Sequence, residues 1–196
     1  VGWTPIGWHF LKGGNAHFIL PTFNRCRVGL KIESGGINGG VFTITGAQQE
    51  IFNYDNEKKR FPMLDVQGET NVSISGIFTG CSNCFGDEAD LETPNFILGP
   101  NAQVTIRDSM ISGKIARLTG SKAQVPTWLQ FENCRFRCAA DPRTDIDADE
   151  YSGYEFRNCH VTVDNISSKQ PKRDEELLLI KHLTKVPTQV RVIDAE

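Results

Sequence analysis

Several features that would place the chain in a specialised class are rare or missing. Only two methionines occur in 196 residues, and segments with apolar residues at helical spacing are almost absent, which argues against a packed helical bundle. No apolar run approaches the roughly 18 residues of a membrane span. The 21 basic residues stand against 24 acidic ones, for a formal net charge of −3. This balance disfavours nucleic-acid binding through bulk positive charge, and we expect neither nucleic acid nor membrane insertion.

Cysteine is present but sparse, with six residues in the whole chain. A chain of this length can bury its own core, and disulfide scaffolds carry a much higher share of cysteine. We therefore expect most cysteines to be reduced core residues, with a disulfide left open as an alternative. Zinc is the other alternative, because Cys81-Ser-Asn-Cys84 and Cys134-Arg-Phe-Arg-Cys138 could supply paired thiolates.

Glycine and phenylalanine, with 18 and 12 residues, favour strands and turns. A short pattern recurs along the chain: an apolar, a polar, an apolar and then a fourth residue, usually polar, followed by a turn residue. The copies at Leu129 and Tyr154 each begin 25 residues after the copy before them. The longer separations between the other copies fit the same period with insertions. The copies begin at Val72, Val104, Leu129, Tyr154 and Val190, and Leu30-Lys-Ile32-Glu-Ser34 fits as a sixth.

This repeat predicts an all-β fold, a right-handed parallel β-helix of about six or seven coils. Each coil would pair its strands with those of the coils above and below, so that like residues stack. One inward row would hold Val72, Val104, Leu129, Tyr154 and Val190, and a second row would hold Ile74, Ile106, Phe131, Phe156 and Val192. An antiparallel β-sandwich or jelly roll is the alternative, but it does not explain the repeated Phe-x-Asn-Cys at Phe131 and Phe156.

The chain divides into an N-terminal cap and a repeat domain. We assign residues 1–27 to the cap, where Trp3 and Trp8 would cover the open end of the stack, and residues 28–196 to the β-helix. Loop insertions are predicted at about 46–62, 80–94, 138–151 and 164–187. Because Val1 is not a methionine and no signal peptide follows it, we expect a processed or excised part of a longer protein.

Two acidic groups are candidates for catalysis, since glycosidases need a pair of carboxylates. They lie in the predicted loops and comprise Asp87, Glu88 and Asp90, and Asp145, Asp147 and Asp149. The alternative is a pair of solvated acidic loops. The alternation of Asp145, Asp147 and Asp149 also fits the start of a calcium loop, but Glu150 and Phe156 break the EF-hand pattern. A looser calcium site stays open, although we assign no metal ligand and expect no cofactor.

A basic flank is the candidate for carbohydrate binding, because guanidinium groups bind carboxylates in a bidentate manner. His160 should occupy the place that Arg135 holds one coil earlier. A solvated surface is the alternative for these residues. The carbohydrate-binding candidates are Arg135, Arg137, Arg157, His160 and the stacking residue Trp128.

The repeats Val72-Ser-Ile-Ser-Gly, Val104-Thr-Ile-Arg-Asp and the two Phe-x-Asn-Cys segments resemble the pectate-lyase-like superfamily of right-handed β-helices. The irregular coils and lateral loops are most similar to the trimeric tailspikes and tail fibres of bacteriophages. The resemblance implies a homotrimeric virion protein, otherwise an extracellular one, that binds a bacterial surface polysaccharide, and degradation of that polysaccharide stays open. An enzymatic role would be that of a polysaccharide hydrolase (endoglycosidase) or lyase.

Two other functions compatible with the same fold stay open. The first is a non-catalytic structural module of a virion, such as a decoration, fibre or baseplate part, whose partners would be other virion proteins. The second is a bacterial polysaccharide lyase or hydrolase of the pectate-lyase type. No catalytic motif of the superfamily can be placed on this chain residue by residue.

Overall fold

Alternating apolar and polar residues give longer strands such as Val28–Glu33 and Gly40–Thr45 one buried and one outward face. The computed structural model is all-β and describes residues 6–12, 14–24, 28–33, 40–50, 62–79, 94–112, 114–122, 125–138, 145–163, 175–177 and 191–193. Within these ranges no helix is long and apolar enough to cross a lipid bilayer.

The strands fall into three sheets. Sheet 1 contains β1 (Ile6–Phe10), β4 (Val28–Glu33), β7 (Leu64–Gln67), β10 (Phe96–Leu98), β13 (Ala116–Leu118) and β16 (Ile146–Ala148). Sheet 2 contains β2 (Asn15–Ile19), β5 (Gly40–Thr45), β8 (Thr70–Ser75), β11 (Ala102–Arg107), β14 (Thr127–Glu132), β17 (Ser152–Arg157) and β20 (Arg191–Ile193). Sheet 3 contains β3 (Thr22–Asn24), β6 (Gln48–Glu50), β9 (Phe78–Thr79), β12 (Met110–Ser112), β15 (Arg135–Cys138), β18 (His160–Val163) and β19 (Glu175–Leu177).

Strands three apart in sequence pair in parallel in all three sheets, as β8 does with β5 and β11. Three consecutive strands therefore make one coil, and each coil lies on the one before it. The exception is β19, which pairs antiparallel with β18 and ends sheet 3. The all-β class and the parallel stacking predicted from the repeat are confirmed.

Sheet 2 carries the two inward rows that the repeat predicts. Val104 stands opposite Val72 and Leu129, and Leu129 stands opposite Tyr154. The second row joins Ile74, Ile106, Phe131, Phe156 and Val192 in the same register. Val190, the last predicted member of the first row, lies outside the described residues.

One member of the repeat belongs to a different sheet from the one predicted. Leu30 and Ile32 stand opposite Leu64 and Val66 in sheet 1, whereas the sheet 2 row is continued by β5. Both strands alternate with a period of two, so the pattern alone does not distinguish them.

A left-handed residue turns the chain from sheet 2 into sheet 3 in every coil from the first to the sixth. In the first five coils its amide donates to the strand of the next coil, as Gly46 N–H does to Ser75 O at 2.8 Å. Glycine, asparagine and aspartate tolerate this conformation best, and they fill all places but the first. The residues are Leu20, Gly46, Gly76, Asp108, Asn133 and Asn158, with φ between 48° and 69°.

The described strands fill parts of the predicted cap and loops. Residues 6–24 of the predicted cap supply β1, β2 and β3, and Phe10 packs edge-on against Phe42 of the second coil. Trp8 remains 48% exposed at this end. β6 lies within the predicted loop 46–62 and β16 within 138–151. Most of the loops 80–94 and 164–187 lie outside the described residues.

Two buried threonines begin their strands but differ in hydrogen bonding, which predicts opposite effects of the same substitution. Thr70 Oγ1 has no partner among the described residues. Thr127 Oγ1 accepts from Asn101 N–H at 3.1 Å and lies 3.0 Å from Gly99 O. Thr70→Val should raise the free energy of unfolding by about 1 kcal/mol, because an unpaired hydroxyl leaves the core.

Thr127→Val is the matched change and should lower the free energy of unfolding by about 2 kcal/mol, because it leaves buried backbone groups without a partner. Urea unfolding followed by circular dichroism measures both variants. Equal shifts in the two variants would contradict the assigned difference in hydrogen bonding.

Candidate functional site

The outer face of sheet 2 carries polar side chains in rows that run along the stack. One row joins Asn71, Gln103 and Trp128, and the next joins Ser73, Thr105 and Gln130. These residues face outward because they alternate with the buried row of Val72 and its equivalents. Parallel stacking thus brings together amide and hydroxyl side chains that are 25 to 32 residues apart in sequence.

A groove of about 340 Å³ lies on this face and spans the strands β5, β8, β11 and β14. Strands in a sheet are about 4.8 Å apart, so these four cover about 14 Å. The outward side chains along it are Val41, Asn71, Ser73, Gln103, Thr105, Arg107, Trp128 and Gln130.

Trp128 is the aromatic residue on the outward side of the groove. Its indole is half-buried, and the next register position along the row is Gly153, which has no side chain to compete for space. Gln103, on the other side, donates from Nε2 to Pro126 O at 2.5 Å. That bond uses one of the two N–H groups of the Gln103 amide, whose Oε1 is an acceptor.

Arg107, Glu132 and Arg157 follow one another in the third outward row, and each arginine is paired with a glutamate. Arg107 Nε donates to Glu132 Oε2 at 2.8 Å. One coil further, Arg157 makes two hydrogen bonds to Glu155, at 3.0 and 3.3 Å, and Glu155 is 3% exposed. The hydrogen bond to Glu155 is the main reason why the pKa of Arg157 is raised.

The predicted acidic residues that the structure describes lie in or next to β16. Asp87, Glu88 and Asp90 lie outside the described residues. Asp147 is in β16 on sheet 1 and forms an ion pair with Lys114 at 3.2 Å. The backbone of Asp145 accepts from Ile115 N–H at 2.8 Å.

Asp149 holds the turn between sheets 1 and 2. Its carboxylate accepts from Ser152 Oγ at 2.6 Å, Gly120 N–H at 2.8 Å and Tyr151 N–H at 3.0 Å. Burial raises the pKa of this carboxyl, but the three hydrogen bonds outweigh burial and the net pKa is lowered. A carboxylate held ionised in this way favours a role in the turn over one as a general acid.

The predicted carbohydrate-binding residues separate onto two faces. Trp128 and Arg157 lie on sheet 2, whereas Arg135, Arg137 and His160 lie on sheet 3. His160 does stand opposite Arg135 one coil later. Arg135 and His160 are exposed, and Arg157 is bound to Glu155 rather than grouped with them.

Cys134 and Cys159 are free and buried, and they follow the left-handed residues of neighbouring coils. The hydrogen bond to Cys159, and then burial, raise the pKa of Cys134. Cys134 therefore stays protonated and acts as a small core side chain. Cys26, Cys81 and Cys84 lie outside the described residues. Among the residues that the structure describes, no group of three metal-ligating side chains occurs.

Trp128 was among the predicted carbohydrate-binding residues, whereas the amide and hydroxyl rows beside it were not predicted. The signal was present in the polar positions of the repeats, such as Ser73, Thr105 and Gln130. Stacking of the coils places these polar positions side by side on one outer surface.

Comparison of the chain with protein-family models, with curated proteins and with solved structures found no match. The function of the sheet 2 groove is therefore inferred from the residues that line it.

Proposed function

We propose that the chain is a right-handed parallel β-helix of the tailspike or tail-fibre kind, which binds a bacterial surface polysaccharide on the outer face of sheet 2. The observation that carries this proposal is the groove of about 340 Å³ lined by Asn71, Gln103, Gln130 and Trp128. Sites that bind small molecules combine apolar walls with a few placed polar groups.

The groove suits a glycan because it offers both kinds of contact that sugars make. The amide and hydroxyl groups of Asn71, Ser73 and Thr105 can donate hydrogen bonds to sugar hydroxyls and accept hydrogen bonds from them. The indole of Trp128 offers a flat apolar face with a polar N–H at its edge. A length of about 14 Å along the stack accommodates a few consecutive sugars of an extended chain.

The virion location and the homotrimer are proposed from the resemblance to tailspikes and tail fibres. Native mass spectrometry tests the assembly directly, with a trimer as the expected result. A stable monomer at micromolar concentration would count against a tailspike.

A non-catalytic role is the second candidate, as a structural or binding module of a virion. It is supported by the contacts of the described acidic residues, because Asp147 is in an ion pair and Asp149 holds a turn. Glycan release by the intact protein distinguishes the candidates. Hydrolysis or lyase products would support an enzyme, with Asp87, Glu88 and Asp90 still candidates for its acids.

Replacing Trp128 by alanine should weaken glycan binding about tenfold, because the stacking surface is lost from the groove. The ligand for this test is the tightest binder found in a panel of bacterial capsular and lipopolysaccharide-derived oligosaccharides. Isothermal titration calorimetry measures the dissociation constant of the variant and of the unchanged protein.

Arg135→Ala is the matched control for Trp128→Ala, because Arg135 is also exposed but lies on sheet 3. Its dissociation constant should stay within about twofold of the original, a free-energy change below about 0.5 kcal/mol. Loss of binding in Arg135→Ala with no loss in Trp128→Ala would place the glycan on the basic flank instead.

A further inference from the structure

We infer that the sheet 2 groove selects an uncharged polysaccharide and discriminates against acidic ones. The inference rests on the proposed function and adds the chemical class of the ligand. It follows from how the charges beside the groove are paired, and it differs from the acidic glycan that the basic flank suggests.

Arg107 is the charged side chain among the described residues that line the groove. Its Nε donates to Glu132 Oε2 at 2.8 Å, and Glu132 stands opposite Arg107 in the register of β11 and β14. The guanidinium therefore already faces a carboxylate on the neighbouring strand. In the following coil, the positive charge of Arg157 is likewise paired with the carboxylate of Glu155.

An acidic sugar would gain little from this arrangement. A carboxylate binds arginine well when the guanidinium can offer two parallel N–H groups. Glu132 uses the Nε–H of Arg107, so a carboxylate that reaches the remaining N–H groups comes to lie near Glu132, and two like charges at close range repel. The groove offers no second described cation to compensate for that repulsion.

The uncharged side chains match sugar hydroxyls, which both donate and accept hydrogen bonds. Asn71 and Gln130 carry both functions in one amide, and Ser73 and Thr105 carry both in one hydroxyl. Gln103 contributes the acceptor Oε1, and one of its two N–H groups is bound to Pro126 O. Val41, which is 55% exposed, and Trp128 provide apolar surface for the C–H faces of a sugar ring.

Binding is tested with neutral and acidic oligosaccharides of matched length, using the intact protein and calorimetry. We expect the neutral glycans to bind at least tenfold more tightly. We also expect the dissociation constant of the neutral ligand to change less than about twofold between 50 mM and 500 mM NaCl, because exposed charge interactions are screened over this range.

Glu132→Gln is the decisive variant, because it frees the Arg107 guanidinium without shortening the side chain. It should tighten binding of the acidic oligosaccharide at least fivefold and leave that of the neutral one within twofold. Asp147→Asn makes the same change of charge on sheet 1, away from the groove, and should alter neither value. Thermal unfolding of each variant checks that the fold is intact.

The outcomes separate this inference from the proposed function. If the unchanged protein prefers acidic oligosaccharides and Trp128→Ala abolishes that binding, the groove binds glycan but the inference is wrong. If neither class binds, or if binding is unaffected by Trp128→Ala, the proposed function of the groove is wrong and the inference falls with it.

Discussion

Replacing Phe131 by alanine should lower the free energy of unfolding by about 4 kcal/mol. Phe131 has no exposed surface and occupies the centre of an aromatic cluster inside the stack. Its ring lies 5.0 Å from that of Phe136 and stacks on Phe156 at 5.3 Å, with an interplanar angle of 15°. A cavity there removes packing from two coils at once.

Denaturant unfolding measured by circular dichroism and tryptophan fluorescence tests the effect of Phe131→Ala. Gln130→Ala is the matched control, because it shortens the neighbouring residue on the outward face of the same strand. Its effect should stay below about 0.5 kcal/mol. Similar losses in both variants would mean that the inward and outward faces of β14 are assigned wrongly.

Replacing Asp149 by alanine should lower the free energy of unfolding by about 3 kcal/mol. The change removes the acceptor of three hydrogen bonds, two of them from the backbone amides of Gly120 and Tyr151. Hydrogen bonds to a charged group contribute more than neutral ones, although partial exposure reduces that contribution. Asp147→Ala removes an exposed ion pair on the adjacent strand and should cost less than about 1 kcal/mol.

Asp149 also predicts a pH dependence of stability. Its pKa is lowered in the folded protein, so its contribution is complete above the unfolded value, about 3.9. The contribution is lost as the pH falls from that value through the lower folded pKa. Thermal unfolding between pH 6 and pH 2.5 should show a steeper acid loss in the unchanged protein than in Asp149→Asn. Parallel curves would contradict the role assigned to this carboxylate.

The sequence was sufficient to predict the buried rows of sheet 2. Val72, Val104 and Leu129 follow one local alternation, and the turn residues Asp108 and Asn133 mark where each strand ends. Alternation with a period of two places side chains on opposite faces without reference to the rest of the chain. The same order of apolar, polar and turn residues in each copy then aligns the rows between coils, although the copies are 25 or 32 residues apart.

The same local signal failed to assign Leu30 and Ile32 to their sheet, because strands of all three sheets share one alternation. Asp147 and Asp149 were expected in a lateral loop, whereas Asp147 lies in β16 and Asp149 directly follows it. Their neighbours Lys114 and Gly120 come from the preceding coil. Such contacts depend on which residues of neighbouring coils lie in register. Insertions of varied length hide this register in the sequence.

By itself, the sequence determined the all-β class, the stacking of repeats and the apolar rows that fill the interior, because each follows from patterns within a few residues. The tertiary structure decided which residues line the groove and how the charge beside it is paired. Asn71, Gln103 and Trp128 become neighbours only when three coils stack in register. The charge of Arg107 is paired only because Glu132 stands opposite it on the next strand. The energy of such a pair depends on the distance in space, whatever the separation in sequence.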